Sequence, residues 1–151
     1  VKFYLAGPMT GEPLWGFQAF EDAYWHLRRS HPDWDVVSPH NIDIETGRVH
    51  TTCRPHGGNN PQRVFTDVQL SDKFDWNETL LLDMKEILDC DGIVLLAGWH
   101  KSKGASYELV TAAMAGKTIY DYAYGAVLAW QPWRVERLLE DVQFWAQDRA
   151  R

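Results

Sequence analysis

The segment Trp99-His100-Lys101-Ser102-Lys103-Gly104-Ala105 separates an apolar run from an amphipathic one, the position of a loop that joins a strand to a helix. Glycine lets a backbone approach a ligand closely, and the free N–H groups of a helix start attract anions. Lys101, Lys103 and the Ser102 hydroxyl would add to a phosphate site, although Ser-x-Gly before a helix also serves as a plain N-cap. Both readings stand for this loop. Glu108, read as first-turn on that helix, has two as well: a favourable partner of the helix dipole, or a carboxylate held over the sheet edge near anything bound in the loop. Asp83 interrupts Leu80-Leu81-Leu82 and Met84, a position that allows an inward-facing acid. Tyr4, three positions before Gly7, either projects to a ligand edge or fills the core. Asp89-Cys90-Asp91 reads as a helix stop followed by a strand start.

Other chemistries find less support. His50-x-x-Cys53-x-x-His56 has the spacing of half a metal site, but neither His40 nor Cys90 supplies a further ligand at a fixed interval. No metal and no cofactor are expected. Gly7-Pro8-Met9-Thr10-Gly11 lacks the Lys-Ser/Thr ending of a P-loop, and Gly-x-Gly-x-x-Gly is absent. Fifteen Lys+Arg against 21 Asp+Glu give a formal net charge of −6, which argues against a nucleic-acid polymer as partner. The longest apolar run, Ile93–Ala97, is far short of a membrane span. Two cysteines make no disulfide framework, and Val1–Ala6 running into Gly7-Pro8 lacks the pattern of a signal peptide. The expectation is a cytoplasmic protein with no membrane partner. Hydrophobic and charged fractions of 45% and 24% are those of a folded domain.

The elements that must hold these residues follow from hydropathy periods. Lys2–Ala6, Trp34–Ser38, Gly92–Ala97 and Thr118–Tyr122 read as strands. Amphipathic helices are predicted over about Trp15–Arg29, Asn77–Asp89, Ala105–Ala115 and Pro132–Ala150. Alternating β and α with short connections implies parallel strands and right-handed crossovers. The fold class is therefore α/β, a flavodoxin/Rossmann-like three-layer sandwich with a parallel sheet of four to five strands, in one domain spanning 1–151. In such sheets ligands bind at the carboxyl ends of strands, an edge that here carries Gly7–Gly11, the loop after Ser38, and Gly98–Ala105. Residues 40–76 show little periodicity and are expected to form an irregular insertion or lid.

Tyr4-Leu5-Ala6-Gly7-Pro8-Met9-Thr10-Gly11, then Asp83, Asp91 and Ser102-Lys103-Gly104-Ala105-Ser106-Tyr107-Glu108, resemble in order and spacing the nucleoside 2-deoxyribosyltransferase-like family. Their order and spacing also resemble its hydrolase branch, the 2′-deoxynucleoside 5′-phosphate N-hydrolases. Asp91–Leu96 followed by Gly98-Trp99 resembles a subgroup frequent in bacteriophages. The resemblance covers roughly 2–39 and 78–120. Between Asp83 and Glu108 this chain is one residue longer than the hydrolases, near Gly98-Trp99. The resemblance implies Glu108 as nucleophile, Tyr4 as the group that orients it, and Asp83 as the acid beside the leaving base. It implies Ser102, Gly104 and Ala105 at a 5′-phosphate, and Gly7, Pro8 and Met9 beside the sugar. The expected activity is cleavage of the N-glycosidic bond of (2′-deoxy)nucleoside 5′-monophosphates. A base-exchanging nucleoside 2-deoxyribosyltransferase and a non-catalytic nucleotide-binding module are the alternatives. The resemblance also implies a homodimer or higher homo-oligomer, working in a host cytoplasm if phage-encoded.

Overall fold

The computed structural model describes residues 1–149. Five strands form one sheet: β1 (Lys2–Ala6), β2 (Asp35–Val37), β5 (Gly92–Leu95), β6 (Thr118–Ala123) and β7 (Ala126–Ala129). Their order is β2-β1-β5-β6-β7, with β1, β2, β5 and β6 parallel and β7 antiparallel at the edge. The period-2 alternation of strand side chains explains why the sheet is buried on both faces. Phe3, Leu5 and Val94 pack against α1 (Phe17–Ser30) through Phe20, Ala23 and Leu27. Tyr4, Ala6, Ile93 and Leu95 face the other way, toward α3 (Trp76–Leu88) and α4 (Lys103–Met114) through Ile87, Leu109, Ala112 and Ala113. On that same side α5 (Pro132–Arg149) adds Val135, Leu138 and Leu139. The architecture is a three-layer α/β sandwich.

Two expectations need correction. Residues 40–76 are not irregular. They contain most of α2 (Pro39–Glu45) and an antiparallel hairpin, β3 (Val49–Pro55) paired with β4 (Arg63–Leu70), as a separate two-stranded sheet. Only Val49, Phe65 and Val68 of the hairpin join the buried cluster around Phe17, so its apolar alternation is thin in the sequence. The second correction is β7, absent from the sequence reading. It follows a two-residue turn in which Tyr124 and Gly125 both have positive φ, 52° and 79°, the backbone that suits a tight hairpin.

Chain order reverses at β1, which leads to β2 on one side and pairs with β5 on the other. Such a switch point opens a crevice at the strand ends. Here Leu96 N–H donates to Ala6 O at 2.8 Å, so the chains part immediately beyond it.

Candidate functional site

A cavity of about 600 Å³ opens at that switch point. Its floor is built by α3 and α4. Ser102 caps α4, its Oγ accepting from Ala105 N–H at 3.2 Å, so the helix begins two residues before the expected start. Glu108 therefore lies in the second turn rather than the first. There it is buried on the same side as Ala105, Leu109 and Ala112. Asp83 is buried at mid-α3, one turn after Thr79, and both line the cavity. Tyr4, fully buried, comes from β1 beneath them. Gly7, Met9, Ser102, Gly104 and Ala105 also line the cavity.

Pro8 does not. Successive residues of an extended chain point to opposite faces, and Pro8 borders a second hollow on the α1 side with Phe20, Leu96 and Tyr122. His50 and Cys53 lie along β3, with His56 just beyond its end, and no group of three or more His, Cys, Asp or Glu suited to a metal occurs among the described residues. Asp91 accepts the Lys2 backbone N–H at 2.7 Å, and Asp89 pairs with the Lys2 ammonium at 2.8 Å. These two acids fasten β1 and take no part in the cavity.

Sequence reasoning missed half of the wall. The turn Thr46-Gly47 after α2 folds Arg48 back over Asp43, whose carbonyl accepts the Arg48 backbone N–H at 3.0 Å. The Arg48 guanidinium stands 3.9 Å from the Asp43 carboxyl, too far for a hydrogen bond, with both side chains buried. Asp43 lines the cavity. An aromatic wall was missed as well. Trp15 and Trp76 rings stand 6.3 Å apart at 47°, and Phe74 meets Trp76 edge-on at 4.8 Å. Leu14, Trp15 and Gly16 are three consecutive left-handed residues (φ 51°, 57° and 70°). Such backbone costs about 1–2 kcal/mol at each non-glycine residue. At Gly16 a Cβ would come within 2.4 Å of Pro8 O, so only glycine lets this turn press against the β1 loop and deliver Trp15 to the cavity.

Buried polar atoms are normally paired, yet Tyr4 Oη, Asp43 Oδ1, Arg48 Nη1, Thr79 Oγ1, Asp83 Oδ1 and Glu108 Oε2 have no hydrogen-bond partner. These six belong to this one region; among the described residues a seventh such atom, Trp130 Nε1, does not line the cavity. Their electrostatics follow from burial. Loss of water, then the negative charge of Asp43, pushes Asp83 up to about 7, with Arg48 and Tyr4 pulling the other way. Loss of water, then Asp83, raises Glu108 well above the ordinary carboxyl range. Burial lifts Asp43 to about 6 against the pull of Arg48. The Tyr4 phenol is raised by burial and then by Glu108 and Asp83, so it stays a donor. Two acids coupled in this way hold at least one proton between them near neutrality.

Residues 50–121 match the profile of a family described as a domain of unknown function, DUF4406. The matched stretch is just under half of the chain, so the similarity belongs to that segment. It contains Asp83, Ser102, Gly104, Ala105 and Glu108, and leaves out Tyr4, Gly7, Asp43 and Arg48. No curated protein matches the chain.

Proposed function

We propose that the cavity binds a nucleotide and that its two acids cleave the N-glycosidic bond of a (2′-deoxy)nucleoside 5′-monophosphate, in the manner of the nucleoside 2-deoxyribosyltransferase-like family. The observation that carries this reading is the gathering of Asp83 and Glu108, buried with Tyr4 at one cavity, with unpartnered oxygens. Glycosidic cleavage by two carboxyl groups needs one ionised and one protonated.

In the first step the proton shared by the pair passes from Glu108 to Asp83, and the Glu108 carboxylate so formed bonds C1′ as the C1′–N bond breaks and its electron pair passes to the base. Asp83 gives its proton to the departing nitrogen. In the second step Asp83, now ionised, takes a proton from water as the water oxygen bonds C1′ and Glu108 leaves as carboxylate. Free base and sugar 5-phosphate result, and the pair again shares one proton. The Tyr4 hydroxyl donates toward whichever carboxylate is ionised. The Trp15–Trp76 wall offers flat apolar surface for a base.

The 5′-phosphate fits the capped start of α4. There Lys101 and Lys103 stand exposed at the rim, and the Ser102 hydroxyl hydrogen remains free to donate. Gly104 adds support of a different kind. A Cβ there would meet nothing closer than Ser102 Oγ at 3.9 Å, so packing within the protein does not demand glycine, whereas close approach of a ligand would.

The test is a panel of deoxynucleoside monophosphates, ribonucleotides and free nucleosides, with base release followed chromatographically. Release from monophosphates is expected. Exchange between a nucleoside and a second added base, without net hydrolysis, would replace hydrolysis by transfer. Binding with neither outcome would leave a nucleotide-binding module.

A further inference from the structure

Three buried carboxyls converge on the cavity from separate elements, Asp43 from α2, Asp83 from α3 and Glu108 from α4. Against them stands one cation. Arg48 is the only buried lysine or arginine among the described residues, and nothing in the sequence reading gave it a role. Its Nη1 faces Asp43 Oδ1 across 3.9 Å, and neither atom has a hydrogen-bond partner. The backbone that carries the guanidinium is held on both sides. Arg48 N–H donates to Asp43 O at 3.0 Å, and Ser71 N–H donates to Arg48 O at 2.8 Å, which ties the turn to the end of β4.

We propose that Arg48 is a positioning residue of the two-acid site: its fixed positive charge compensates the Asp43 carboxylate, so that Asp83 and Glu108 are left to share a single proton. The proposal rests on the two-acid reading above and adds a residue to it.

Charge has to balance in a place with little water. An arginine side chain stays cationic at any ordinary pH. With it, one of the three carboxylates is balanced and one more is tolerated, leaving a proton on the third. Without it, a second buried negative charge has no counterpart, and the cluster takes up another proton. That proton would neutralise the carboxylate needed to attack C1′. Asp83 is faced by Tyr4 from β1, Asp43 from α2, Arg48 from the following turn, Glu86 on its own helix and Glu108 from α4. Lys101 and Lys103 stand exposed at the cavity rim. Of these groups, only Arg48 brings positive charge from within the protein.

The experiment is a carboxyl-carbon NMR titration of the intact chain as wild type, Arg48→Met, Arg48→Lys and Asp43→Asn. Removing the cation is expected to raise the Asp83 midpoint by about one unit or more, and removing the neighbouring carboxylate to lower it, because opposite and like charges act in opposite senses. Arg48→Lys is expected to stay near wild type. Opposite movement in Arg48→Met and Asp43→Asn supports the proposal. Movement in the same direction, or none in Asp43→Asn should Arg48→Met fail to fold, overturns it. In base-release assays the rising limb of the pH profile of Arg48→Met moves to higher pH by the same amount, and a limb that stays in place also overturns the proposal. Should wild type release no base, the proposed function fails while the titration still decides what Arg48 does.

Discussion

Two buried charge clusters lie within this protein, and they are built on opposite rules. In the first, Glu21 of α1 is fully buried and fully partnered. It accepts from Trp25 Nε1 at 2.7 Å and from Arg63 Nε and Nη2 at 2.9 and 2.8 Å, with His40 Nε2 at 3.4 Å. An ionised carboxyl can only accept, so His40 Nε2 carries the proton, and Nδ1 accepts from the Ser38 hydroxyl at 2.5 Å. Burial works to raise Glu21, but the hydrogen bonds from His40 and Arg63 and the Arg63 charge overcome it and hold the group at about 2. Burial lowers His40, which stays neutral. This cluster ties hairpin to body: Arg63 belongs to β4, Glu21 to α1 and His40 to α2. In the second cluster the acids have moved the other way, upward, and each keeps a buried carboxyl oxygen without a partner. Satisfied burial stabilises a fold, while unsatisfied burial holds groups ready for something that is not yet there.

The sharpest way to break the comparison is to remove one acid from each cluster. Glu108→Gln is expected to cut base release at least about 10³-fold, as loss of a nucleophile does, with no loss of stability in denaturant melts. Wild-type turnover in that variant would end the functional assignment of the second cluster. Glu21→Ala is expected to do the reverse, costing about 3–5 kcal/mol of stability by leaving buried partners uncompensated, measured by urea unfolding. Asp83→Asn comes next, with about a 10²–10³-fold loss of base release and smaller losses for bases that leave easily without a proton.

Acid and base titration of stability should separate the clusters by sign. Glu21 is depressed from 4.5 to about 2, so its contribution is complete above the unfolded value and fades as pH falls from about 4.5 to about 2. Asp83 is raised from 3.8 to about 7, so the folded state binds the extra proton and stability declines as pH rises from about 4 to about 7. Asp83→Asn should reduce the second slope, to which raised Asp43 and Glu108 also contribute, and leave the first intact. Loss of both slopes in one variant would mean that the clusters are not separate. The smallest effect is expected at Gly104→Ala. Stability should stay within about 1 kcal/mol, since alanine is a better helix former. Monophosphate substrates should be weakened about tenfold relative to free nucleosides, a loss of about 1.4 kcal/mol.

The frame of the fold was legible because its signals are strong. Phe20, Ala23 and Leu27 mark α1 at helical spacing, and Ile93–Leu96 is apolar throughout because β5 is covered on both faces. Asp83 was legible as an acid inside an apolar stripe. The hairpin was harder to read. β-Formers such as Thr51, Thr52, Val64 and Phe65 flank Gly57-Gly58-Asn59-Asn60-Pro61, a turn-rich stretch. A sheet with three buried side chains nevertheless leaves little alternation to see. β7 hid because its left-handed turn uses Tyr124, a residue that seldom announces one. Arg48 could not be seen at all. Its importance comes from a turn that brings it back over Asp43 and toward an acid thirty-five positions ahead, which neither spacing nor composition records.

Division of labour follows from the hairpin's attachment as a separate sheet. Groups fit for breaking a bond sit on the central frame, whereas Asp43, Val49, Leu70 and Phe74 of the opposite wall come from the excursion between β2 and α3. The part of that excursion beyond Arg48, the hairpin held chiefly by Arg63 on Glu21 and a few apolar contacts, can be exchanged or lengthened without disturbing that frame or the Asp43–Arg48 pair. Descendants of this chain could thus be retargeted, by evolution or by grafting, through replacement of one contiguous stretch of sequence.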